Sequence, residues 1–114
     1  MFLCFQGHAQ ECNHLEKIHY LCVVADAELE QAYSREEQDM PYYHGRLDAM
    51  DTAYFQVKKS GPQCHCVSIT KRLRDKAESQ FDHAERFNYW PGDAWYWMGS
   101  LTAYNDILEA LGGL

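Results

Sequence analysis

Large apolar side chains fall at positions 43, 47, 50 and 54, and again at 97, 101, 104 and 108. Steps of four, three and four place each set on one stripe of an α-helix. The two sets are related by a shift of 54 residues, and the surrounding sequence repeats with them. Asp39/Asp93, Tyr42/Tyr96, Gly45/Gly99, Leu47/Leu101 and Ala49/Ala103 are identical without a gap. Tyr43/Trp97, Met50/Tyr104 and Tyr54/Leu108 keep bulk and apolar character. Each copy opens on an Asp where an N-cap is wanted, because a carboxylate accepts from the free N–H groups of a first turn. Pro41 fits a first turn, and Gly112-Gly113 suits a helix stop.

A glycine inside a helix is about 1 kcal/mol worse than alanine, so the same glycine in both copies calls for a reason. Gly45, Ala49 and Ala53, and likewise Gly99 and Ala103, lie off the bulky stripe. Small residues four apart let another backbone approach closely. The expectation is that the two copies touch each other there across a pseudo-twofold axis; the alternative is a groove for a partner helix.

Two further stripes frame the repeat. Leu15, Ile18, Cys22, Ala25, Leu29 and Ala32 predict a helix from about Asn13 to the segment Ser34–Gln38. Ile69, Leu73, Ala77, Phe81, Ala84 and Phe87 predict another, with Ser68 as its cap. Ser60-Gly-Pro62 breaks the chain between them, and Asn88–Gly92 turns into the second copy. Gln63–Val67 reads as a loop or short strand, and Phe2–Phe5 as a short extended piece. The predicted fold is therefore all-α: a small four-helix bundle of two duplicated helical hairpins, about 10–59 and 63–112, with an optional extended N-terminal piece. It forms one domain over 1–114, with charged outer helices covering more apolar inner ones.

Charge alters this picture by its distribution. The net is −7, but residues 1–39 carry eight acids against two bases, residues 40–76 seven bases against three acids, and the rest six acids against Arg86. The favoured expectation is that the bases Lys71, Arg72, Arg74 and Lys76 pair with the acidic first helix. The acidity argues against nonspecific nucleic-acid binding by the whole surface. No apolar run suits a membrane span, and Met1–Phe5 does not resemble a secretory leader. With an odd count of five cysteines, the expected location is a reducing cytoplasm.

Candidate chemistry is sparse. Zinc needs four thiolate or imidazole ligands, usually as two close pairs. Cys4, His8, Cys12, Cys64 and Cys66 are weak candidates, with His14 beside them, because their spacing fits no zinc signature. No cofactor is expected. Five cysteines and six histidines permit a thiol–imidazole pair, but no nucleophile, phosphate-loop or metalloprotease motif accompanies them. Tyr89, Trp90, Trp95, Tyr96 and Trp97 crowd more rings than one helix face hides, and such residues are common interface anchors.

These features favour a non-enzymatic, acidic protein–protein interaction module. Its expected contacts are Glu28, Glu30, Glu36, Glu37, Asp39, Trp90, Trp95 and Trp97, and its expected partner is a protein with a basic, nucleic-acid-binding surface. An inhibitor of the kind carried by phages or mobile elements, anti-defence or anti-CRISPR, is one form of this. The alternatives are a zinc-stabilised regulator contacting DNA through Arg72 and Arg74, and a small cysteine-dependent enzyme. Homodimerisation stays open, since an apolar face unmatched within the chain finds its match in another copy.

Overall fold

The bulky stripes become helix faces in the computed structural model, which describes residues 4–35, 39–60, 65–87 and 91–113, with side chains from 14 onward in the first helix and from 93 in the last. The elements are α1 (Cys4–Arg35), α2 (Met40–Lys59), α3 (Cys66–Arg86) and α4 (Pro91–Leu111). The described residues contain no strand. α2 and α4 form the central pair. α1 lies on α2, α3 lies on α4, and α1 and α3 scarcely meet. The molecule measures 54 × 31 × 21 Å, drawn out by the 32 residues of α1.

The direction of each helix follows from its contacts. Glu28 meets Arg46 and Tyr33 meets His44, so α1 runs antiparallel to α2. Gly45 meets Ser100, Gly99 meets Arg46, and Thr52 meets Tyr104, offsets close to 54, so α2 and α4 run parallel. Gly113 packs on Val67 at the start of α3, which makes α3 antiparallel to α4. One end of the bundle therefore gathers the N-termini of α2 and α4 with the C-termini of α1 and α3.

The core uses the predicted stripes. Ile18, Cys22, Ala25, Leu29 and Ala32 of α1 are buried, as are Ile69 and Ala77 of α3. The inner helices bury a second face as well, because Ala49, Ala53 and Ala103 are shielded along with Met50, Ile107 and Leu108. Phe87, placed at the end of the α3 stripe, is instead exposed. It follows the last helical residue, where the stripe has no helix left to follow.

Several predicted boundaries shift. α1 starts at Cys4 rather than near Asn13, so Cys4 and Phe5 are helical and the extended reading fails there. Its length absorbs Gly7, whose penalty is only about 1 kcal/mol. α3 starts at Cys66, with His65 in the N-cap position. Cys66 and Val67 are thus helical, not strand, and the Ser68 hydroxyl donates to the His65 carbonyl at 3.2 Å instead of capping. Asp39 is the N-cap residue of α2, but its carboxylate makes no capping bond. The Tyr42 amide donates to the Asp39 carbonyl at 3.0 Å, with Pro41 in the first turn. Asp93 lies inside the first turn of α4, not at its cap, and there it favours the helix dipole. The C-terminus behaves as predicted. Gly112 has φ 75°, its amide donates to Glu109 O at 3.1 Å, and the Gly113 amide donates to Leu108 O at 2.8 Å, a Schellman closure.

Candidate partner-binding surface

The crossing of α2 and α4 lies at the centre of the bundle. A Cβ on Gly45 would collide with the Tyr96 carbonyl oxygen and lie 3.2 Å from the Ser100 amide nitrogen. A Cβ on Gly99 would collide with the Tyr42 carbonyl oxygen and lie 3.1 Å from the Arg46 amide nitrogen. The two environments are the same after a shift of 54, so the glycines serve each other and the expected pseudo-twofold contact is present. The Ser100 hydroxyl strengthens it by donating to Gly45 O at 3.1 Å.

Polar side chains surround this contact. The Tyr96 hydroxyl donates to Asp48 Oδ2 at 2.6 Å. Burial, that bond and the Asp48 charge all raise the phenol's pKa. Tyr104 is raised too, by burial and the Asp48 charge against a lowering bond with Thr52. Arg46, a residue the sequence reading did not single out, bridges three helices. Its Nε donates to Glu28 Oε1 at 3.3 Å and its Nη1 to Asp106 Oδ2 at 2.9 Å. Burial opposes the guanidinium charge, but the Asp106 bond and both carboxylates outweigh it and the pKa is raised. The signal available in the sequence was its place beside Gly45, on the shielded side of α2.

The predicted contact residues separate. Glu28 is committed to Arg46. Trp97 packs against the core and meets the Tyr96 ring edge-on at 5.1 Å. Glu30 is exposed, Asp39 is half-buried, and Trp95 is 38% exposed. Glu36, Glu37 and Trp90 lie outside the described residues. Glu30, Asp39 and Trp95 share one end of the bundle, where α2 and α4 begin. The exposed acids Asp82, Glu85 and Asp93 belong to the same end, which among the described residues also carries the bases Arg35 and Arg86. Tyr33, Phe87, Trp95 and Met98, four of the seven large hydrophobic residues exposed among those described, belong to it as well.

The α3 bases do not behave as favoured. Among the described residues no ion pair joins Lys71, Arg72, Arg74 or Lys76 to α1. Arg74 bonds its neighbour Asp75 at 3.1 Å. The reason is topological: α1 and α3 flank the inner pair on different sides.

Of the thiols, Cys22 is buried on the α1 stripe. Burial, with the charge and hydrogen bond of Asp51, pushes it up to about 12, opposite to an activated nucleophile. Cys66 is buried at the start of α3. The side chains of Cys4, His8 and Cys12, and the whole of Cys64, lie outside those described. Among the described residues, no three His, Cys, Asp or Glu side chains are placed to hold a metal, and no helix is long and apolar enough to cross a membrane. Comparison with protein-family models, curated proteins and solved structures finds no match.

Proposed function

We propose that this protein is a non-enzymatic interaction module that docks its acidic, aromatic end on a basic, nucleic-acid-binding surface of a partner protein. The observation that carries this is the gathering of Tyr33, Phe87, Trp95 and Met98 at the end that also bears Glu30, Asp82, Glu85 and Asp93. Exposed rings supply apolar anchors, and the surrounding carboxylates steer a cationic partner and set its orientation. Carboxylates spaced along helix ends also stand in for phosphates in a basic groove. Glu28 and Trp97, being engaged internally, drop out of the docking set.

Affinity purification with the wild-type chain and with a Glu30→Lys, Glu85→Lys, Asp93→Lys variant tests the reading. The variant is expected to keep its helical circular dichroism and lose the captured partner, with Trp95→Ala weakening capture further. Undiminished capture of the same partner by the triple variant contradicts electrostatic docking. The cluster of α3 bases, of which Arg74 pairs with Asp75, supplies the rival reading, a small DNA-contacting regulator. A duplex DNA shift at low salt that Arg72→Glu and Arg74→Glu abolish moves the function there.

A further inference from the structure

The remaining exposed apolar residues lie away from the acidic end, and two of them converge. Val23 on α1 and Phe55 on α2 are 54% and 65% exposed and flank an open cavity of about 430 Å³ between the two helices. Leu47 and Tyr54, both partly buried against the core, also line it. Each helix adds one carboxylate, Asp26 on α1 and Asp51 on α2. Neither forms an ion pair among the described residues. Asp51 lies beside the Cys22 thiol, a neutral neighbour that leaves its negative charge uncompensated. Lys58 lies over the Tyr54 ring at 5.7 Å, and the His19 ring packs on the same tyrosine at 5.6 Å.

The antiparallel register fixed by Glu28 and Arg46 orders these groups along the groove. Phe55 lies level with His19, Asp51 level with Val23, and Asp26 about one turn further on. The site thus spans roughly two helical turns, about 10 Å, apolar first and acidic second. A groove between two antiparallel helices accepts a third amphipathic helix, read through side chains one turn apart.

We infer that the α1–α2 groove binds an amphipathic cationic helix of a partner protein, seating an apolar residue between Val23 and Phe55 and an Arg or Lys, one turn along, on Asp26 and Asp51. The carboxylates decide the occupant: a purely apolar segment leaves them desolvated and unpaired, whereas an Arg satisfies them with charge-assisted bonds. This site is separate from the acidic end and stands or falls without it.

The test selects a displayed library of random helical peptides on the immobilised full-length protein and measures the affinity of the enriched peptides. The expected consensus has an apolar residue followed by Arg or Lys three or four positions later. Affinity is expected to fall about tenfold or more for Val23→Ser with Phe55→Ser, and for Asp26→Asn with Asp51→Asn. Glu30→Lys with Asp93→Lys is expected to leave it unchanged, which separates this groove from the acidic end. On the unmodified protein, the same peptides are expected to shift the Val23 methyl resonances. The inference is overturned by a library that yields no binder, by a consensus without basic residues, or by binding indifferent to both groove variants. It is equally overturned if sedimentation finds a dimer that Phe55→Ser dissociates, since the occupant is then a second copy of this chain.

Discussion

Arg46 and Cys22 occupy comparable depths and meet opposite electrostatic surroundings. The guanidinium is shielded but reaches Glu28 and Asp106, so its charge is compensated where it sits. The Cys22 thiol faces Asp51, which disfavours the thiolate in addition to the burial that already does so. Tyr96 and Tyr104 share the second situation, each with Asp48 nearby. All three groups hold their protons more tightly in the native state than in the unfolded chain. Their contribution to stability is therefore complete below the unfolded values and is lost as pH rises through the native ones. For Cys22 the window runs from 9.0 to about 12; for the two tyrosines it opens at 10.0. Denaturant midpoints measured across this alkaline range are expected to decline, and the decline is expected to be shallower in Cys22→Ala and in Tyr96→Phe. Parallel pH profiles for the wild type and both variants would show that neither group is linked to folding.

At the scale of elements, the repeated glycine is the most informative feature. Alanine is intrinsically better than glycine in a helix by about 1 kcal/mol, so Gly45→Ala and Gly99→Ala are stabilising in an isolated helix. In the folded chain the new methyl group meets a carbonyl of the opposite helix. Backbone does not move aside as the end of a flexible side chain does, which places the overpacking penalty at or above the upper part of its usual 1–3 kcal/mol range. Each substitution is expected to lower unfolding free energy by a net of about 2 kcal/mol, read from urea melts. An unchanged or raised midpoint would mean the helices do not meet there. The periodicity made these elements legible in the sequence: the stripes Ile18–Ala32 and Ile69–Ala77 are the faces buried, and Gly112-Gly113 closes α4 as expected. Boundaries were less legible because a cap is a local competition. Asp39 takes the N-cap position without using its carboxylate, Ser68 bonds one turn back, and α1 runs through Gly7 because a long helix tolerates one poor residue.

On the scale of the whole molecule, pairing between helices decides what linear charge blocks cannot. The acidic first helix and the basic segment of α3 attract on paper, yet α2 and α4 stand between them. Among the described residues no ion pair joins the two, Glu28 being held by Arg46 and Arg74 by Asp75. The same geometry explains why the candidate contact set was only partly legible. Glu28 and Glu30 are two residues apart and indistinguishable by type, but one faces Arg46 and the other faces outward. Trp95 and Trp97 divide the same way, one to the surface and one to the core. Sequence spacing placed them on a helix; the direction of the neighbouring helix assigned their roles. Even the groove between Val23 and Phe55 exists only because the antiparallel register of α1 and α2 brings together residues far apart in the chain.

All of these placements depend on α2 and α4 meeting backbone to backbone in parallel register. A nuclear Overhauser spectrum of the isotope-labelled protein reads that contact directly. Cross-peaks are predicted between an α-proton of Gly45 and the amide proton of Ser100, and between an α-proton of Gly99 and the amide proton of Arg46, pairs whose Cβ-position-to-nitrogen separations are 3.2 Å and 3.1 Å. A spectrum in which both glycines are assigned and neither peak is present contradicts the crossing.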